Sequence, residues 1–112
     1  VGVIIQELPP FVVSLLPDDN GRVVVAVQGE VDAATADRLW AGLLEALTTW
    51  PGTVTVDLAQ VTFLDSQGIK VLIRPSTMCE FDATRLIIRS PQPQVRRVFE
   101  VMGLATVLRI ED

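Results

Sequence analysis

The sequence predicts an α/β domain of element order ββαβαβαβ, and three features predict it. Two β-rich runs flank Asn20-Gly21 near the start, amphipathic helical segments follow, and a short β-rich run separates each helical segment from the next. Strand–helix–strand connections return the chain in the same direction and so imply parallel pairing, whereas the opening pair closes as an antiparallel hairpin. A chain of 112 residues fits a single domain, 1–112, with the hairpin over about 11–28 and the core running to 110.

The hairpin comes first. Phe11 to Leu16 and Arg22 to Gln28 are joined by Pro17-Asp18-Asp19-Asn20-Gly21, whose Asn-Gly pair adopts the positive φ of a tight turn. The second run is apolar on both side-chain parities, which predicts burial on both faces. Asp32 offers a carboxylate cap to a helix in which Ala36, Leu39, Trp40, Leu43, Leu44 and Leu47 recur at helical spacing. Trp50-Pro51-Gly52 ends it. Thr53 to Leu58 alternates, with Val54, Val56 and Leu58 on one face and Thr53, Thr55 and Asp57 on the other.

From Ser66 the spacing turns helical again through Ile69, Leu72 and Ile73, with Asp65 or Ser66 as cap. Pro75 would remove a backbone donor and clash with the carbonyl of Val71, at a cost of about 3 kcal/mol inside a helix, so a kink or restart is expected there. Arg85 to Arg89 is a further strand. Ser90-Pro91 marks a helix start, followed by an apolar stripe of Val95, Val98, Phe99 and Met102 and by Gly103 at the left-handed C-terminal position. Thr106 to Ile110 supplies the last strand.

Composition excludes several functions. The net charge of −5 argues against a nucleic-acid partner, whose phosphates need clustered Lys and Arg. The longest uninterrupted apolar run, Val23 to Val27, is far short of the roughly 20 residues of a membrane helix, so direct membrane insertion is not expected. The start at Val1 without Met is read as that of a trimmed fragment. Cys79 is the only cysteine, which rules out an intrachain disulfide or a cysteine zinc cluster within this chain and is consistent with a reducing compartment.

Catalytic arrangements are also missing. There is no His to serve as the usual base for a serine nucleophile, and a lysine one turn after Ser66, Lys70, is an ordinary surface residue near a helix start. Asp57 and Asp65 could act together as acid and base, but a helix cap and a solvent-facing carboxylate are the plainer roles. Neither glycine-rich phosphate-loop pattern occurs, and the neighbours of Cys79 supply no positive charge to favour a thiolate. No enzyme activity, cofactor or metal is expected.

Ser66 stands out by position. It follows a strand-like stretch ending near Leu64 and opens a helix, so its hydroxyl should emerge at the sheet edge beside free backbone amides. A phosphate there would be tolerated by the amides and the helix dipole while adding roughly −1.5 to −2 charges next to Asp65. The fold would survive and a partner accepting neutral serine would not.

Val56 to Ile69, with Leu64-Asp65-Ser66-Gln67-Gly68 at its end, resembles the signature of bacterial anti-sigma factor antagonists of the STAS domain family. Gly29-Glu30-Val31-Asp32 resembles their upstream turn, and Ser90 to Phe99 with Met102-Gly103-Leu104 their closing helix. The resemblance implies a STAS fold, a mixed four- to five-stranded sheet with helices mainly on one face. It implies a cytoplasmic stress-response regulator that binds an anti-sigma factor serine kinase, is phosphorylated by it at Ser66, and is reset by a phosphatase. Carried over by position, Glu30, Asp32, Asp65, Ser66, Gln67, Gly68 and Lys70 form the partner-binding set.

Gln67 stands where a second hydroxyl residue is often found, Lys70 where glycine is frequent, and Pro75 interrupts a helix that usually continues. These departures bear on the partner surface more than on the fold. Two other roles remain open: a STAS interaction module of an anion transporter or lipid-transport complex, and a scaffold that takes no phosphate. A homodimer also stays open.

Overall fold

The computed structural model describes residues 11–112; residues 1–10 of the expected domain lie outside the described residues. Strands β1 (Val12–Pro17) and β2 (Val23–Val31) form the expected antiparallel hairpin, with Leu15 opposite Val25 and Pro17 opposite Val23. Then follow α1 (Ala36–Thr49), β3 (Val54–Leu64), α2 (Ser66–Ile73), β4 (Leu86–Arg89), α3 (Pro93–Val101) and β5 (Ile110–Glu111). The sheet order is β1-β2-β3-β4-β5, and every pairing after the hairpin is parallel.

Sequential order combined with crossovers of one hand puts α1, α2 and α3 on the same face of the sheet. Burial follows. On the helix side Val25, Val54, Val56, Leu58 and Ile88 are fully enclosed, packed with Leu39 and Leu43 of α1, Leu72 of α2 and Phe99 of α3 in one core. On the opposite face Val24, Ala26, Thr55 and Asp57 are half-buried. β2 therefore departs from the two-faced burial its composition predicts: Val23, Val25 and Val27 are buried, whereas Val24 and Ala26 are only half-buried.

β3 is longer than its first alternating stretch because its register against β2 slips twice, between Ala26 and Gln28 and again between Gly29 and Glu30. Each slip adds a residue on the β3 side, so the buried positions step from Leu58 to Val61 to Leu64 instead of alternating. The strand thereby keeps an apolar contact with the core up to the point where α2 begins.

Other boundaries differ from expectation for local reasons. α1 begins after Thr35, which stands at the N-cap position without a side-chain capping bond, and Asp32 does not cap it either: the Asp32 carboxylate accepts from the Ala34 amide at 2.9 Å, forming a turn ahead of the helix. α2 stops at Ile73 and the chain restarts as a tight 3-10 turn, Arg74–Thr77, with buried Pro75 in its first turn, which is the break that Pro75 predicts. α3 starts at Pro93 instead of Ser90-Pro91; Ser90 adopts a φ of 56°, which turns the chain out of β4 before the helix forms. The final strand shrinks to Ile110–Glu111, because Leu104–Thr106 closes into a 3-10 turn after Gly103, which has the expected left-handed φ of 67°.

Candidate functional site

The parallel pairing of β2 and β3 brings Val31 opposite Leu64, so both strands leave the sheet at the same end. The amide of Asp65 donates to the Val31 carbonyl at 3.1 Å, tying the two exits together. The turn carrying Glu30 and Asp32 therefore lies beside the turn carrying Asp65, Ser66, Gln67 and Gly68. The expected partner-binding residues, separated in sequence by more than a helix and a strand, share one end of the sheet; Lys70 lies one helical turn beyond Ser66.

Asp65 is the cap of α2. Its carboxylate accepts from the amides of Gln67 at 2.8 Å and Gly68 at 3.3 Å, placing a negative charge at the positive end of the helix dipole. Ser66 is thus the first helical residue, and its hydroxyl is exposed and has no hydrogen-bond partner among the described residues. The amides expected to lie free beside Ser66 are held by Asp65, so a group added to the hydroxyl would project outward next to a carboxylate.

Gly68 sets how closely α2 sits on the sheet. It is buried, and a Cβ there would lie 2.8 Å from Val31 Cγ1 and 2.9 Å from Leu64 Cγ. Only glycine lets the first turn of α2 rest directly on the ends of β2 and β3. The neighbouring turn is braced by Thr35, whose hydroxyl accepts from the Asp32 amide at 3.0 Å and donates to the Glu30 carbonyl at 2.8 Å. Sequence reasoning missed Thr35; its position three residues after Asp32 was the available signal.

Glu30 and Lys70 are exposed, and Asp32 and Gln67 half-buried. Gln67 and Lys70 line a groove between α1 and α2 that also receives Asp37 and Arg74. Asp57 lies elsewhere, on the open face of the sheet, where its carboxylate pairs with Arg89 at 2.8 Å and accepts from the Ala59 amide. Burial raises its pKa, but the Arg89 hydrogen bond, the Ala59 amide and the Arg89 charge outweigh that and hold it below the usual carboxylate range. An ionised carboxylate engaged in this way is a structural ion pair, not half of an acid–base couple with Asp65.

Comparison with known proteins bears on the fold and the family. Residues 15–110 match the family model described as Mlab, STAS domain. The chain is 32% identical to an anti-sigma F factor antagonist of Lysinibacillus sphaericus over 73% of its own length and 71% of that protein. It is 28% identical to the anti-sigma-F factor antagonist RsfB of Mycobacterium tuberculosis over 94% of this chain and 85% of the relative. The crystal structure of an anti-sigma factor antagonist from Mycobacterium paratuberculosis superposes with a TM-score of 0.80 at 26% identity, covering 91% of this chain and 86% of that one. Such proteins are regulators that work by binding, not enzymes. With its hairpin-led sequential sheet and its one-sided helices, the chain belongs to the STAS domain family, among the bacterial anti-sigma factor antagonists.

Proposed function

We propose that this protein is a phosphorylation-controlled anti-sigma factor antagonist of the cytoplasm. In its unmodified form it binds an anti-sigma factor that is also a serine kinase, and so frees a sigma factor. The kinase phosphorylates Ser66, the complex dissociates, and a phosphatase restores the binding form. Glu30, Asp32, Asp65, Ser66, Gln67, Gly68 and Lys70 make up the contact surface.

The observation that carries this reading is the state of Ser66: an exposed hydroxyl with no hydrogen-bond partner among the described residues, beside a cap that Asp65 already fills. The serine does no capping work, so modifying it costs the fold little. A phosphate would nevertheless place roughly −1.5 to −2 charges beside Asp65 and the Glu30–Asp32 turn, in the middle of the contact surface. That charge acts as a veto on docking without unfolding the protein. The names of the relatives, antagonists of anti-sigma factors, support the choice of partner.

The test is binding of the unmodified protein, Ser66→Ala and Ser66→Asp to each serine-kinase-type anti-sigma factor encoded in the same genome. Wild type and Ser66→Ala should bind one of them alike. Ser66→Asp should lose at least tenfold in affinity while its thermal midpoint stays close to that of wild type. Failure of the unmodified protein to bind any of them would refute the reading.

A further inference from the structure

The protein is acidic, yet its cations are not distributed as simple counter-charges. Arg22, Arg89, Arg96 and Arg109 each pair with a carboxylate. Arg38 and Arg85 donate to backbone carbonyls. The side chains of Lys70, Arg74 and Arg97 make no ion pair or hydrogen bond among the described residues; Arg97 stands apart on α3, whereas Lys70 and Arg74 are both exposed and lie one helical turn apart. Like charges at that spacing oppose each other, so the arrangement does not serve the stability of α2.

Both side chains open onto the groove between α1 and α2, a depression of about 370 Å³ that begins beside Gln67, next to Ser66; Asp37 of α1 also lines it, so two cations face one carboxylate there. Arg74 is held in place. Its guanidinium stacks over the ring of Trp40 in α1, 4.5 Å from the centroid, leaving its edge donors open to solvent. A fixed planar donor set beside a mobile ammonium suits carboxylates, since a guanidinium binds them in bidentate fashion and an ammonium as a point charge.

We propose that this groove receives an acidic segment of the partner protein, with Arg74 and Lys70 as the residues that select it. The inference rests on the functional reading above and deepens it: Ser66 controls whether docking occurs, and the Lys70–Arg74 groove decides which anti-sigma factor docks. Charge complementarity favours this occupant. On a chain of net charge −5, an acidic segment is favoured where cations outnumber carboxylates, and in this groove Lys70 and Arg74 face the single carboxylate of Asp37.

The experiment has two arms that fail separately. In the first, the anti-sigma factor that binds the unmodified protein is titrated with the doubly substituted Lys70→Glu/Arg74→Glu protein and with Arg74→Lys. The double reversal should weaken binding at least tenfold, Arg74→Lys by severalfold, and the wild-type affinity should fall with added salt. Unchanged binding by the double variant would overturn the groove proposal while leaving the Ser66 reading intact; absence of any binding anti-sigma factor would refute that reading alone.

The second arm needs no anti-sigma factor. The wild-type protein is titrated with N-acetyl-tetraglutamate amide and followed by amide and indole NMR shifts. Salt-sensitive shifts at Trp40, Gln67, Lys70 and Arg74 that vanish in the double variant are expected. Shifts scattered over the surface, or a groove response to phosphatidylglycerol vesicles with none to the peptide, would overturn the proposal.

Discussion

At the scale of single residues, the site depends on Gly68 more than on any charged group. Replacing it by alanine forces a methyl group within 2.8 Å of Val31 and 2.9 Å of Leu64, both buried in the core. Gly68→Ala should lower unfolding stability by about 1–3 kcal/mol in urea titrations, the usual cost of overpacking, and weaken partner binding because the tip of α2 is displaced. The Asp57–Arg89 pair acts differently. The Asp57 carboxyl is depressed in the folded protein, so its contribution is fully present above the unfolded pKa near ~3.9 and is lost as pH falls through the folded value. Asp57→Asn should cost about 0.5–1 kcal/mol at neutral pH, a small figure because the pair is partly solvent-screened. The gap to wild type should close below pH 4; a gap unchanged with pH would show that the pair contributes nothing through charge.

At the scale of elements, the turn between α1 and β3 owes its shape to a residue far along the chain. α1 has no basic residue in its last turn. The guanidinium of Arg85, just ahead of β4, supplies that charge instead, donating to the carbonyls of Gly52 at 2.8 Å and Leu47 at 3.3 Å, and to that of Trp50. It satisfies carbonyls that the helix end leaves free and sets its charge against the negative end of the dipole. Arg85→Ala should lower stability by about 2 kcal/mol, and Arg85→Lys should recover only part of it because an ammonium cannot bridge the same carbonyls. A chemical denaturation series on the two variants checks this; an Arg85→Ala protein as stable as wild type would contradict it.

The same scale shows what the sequence could reveal. Elements with strong periodicity or clear punctuation were legible: the hairpin around Asn20-Gly21, α1 up to Pro51, the break at Pro75, and the left-handed Gly103. The misplaced boundaries depend on competition between neighbours. Asp32 has the chemistry of a helix cap but closes its own turn, because Thr35 is better placed to begin α1. Pro91 and Pro93 both suit a helix start, and the positive φ of Ser90 decides for the second. The two slips in β3 against β2, and the Arg85 contact across 33 residues or more, are tertiary features with no local signature. At the candidate site, Ser66, Asp65 and Gly68 were legible from the turn motif, whereas Thr35 and the Trp40–Arg74 stack were not.

At the scale of the whole molecule, the design is one-sided. Sequential strand order places all three helices on one face and gathers the exits of β2 and β3 at one end of the sheet, where the β2–α1 and β3–α2 turns meet. The core supplies rigidity beneath that end, since Val31 and Leu64 are nearly inaccessible and Gly68 rests on them. A charge added to Ser66 would thus change the surface without loosening what supports it. Among the described residues no helix is long and apolar enough to cross a membrane.

Modification of Ser66, with the fold unchanged, is expected to determine binding. The most direct measurement is calorimetric titration of one anti-sigma kinase with the same protein sample before and after incubation with that kinase and ATP, with the modified residue located by mass spectrometry. A single phosphate on Ser66, a loss of affinity of at least tenfold, and a thermal midpoint close to that of the unmodified protein are expected. A protein that binds equally well after stoichiometric phosphorylation of Ser66, or that is phosphorylated elsewhere and still released, would contradict this expectation.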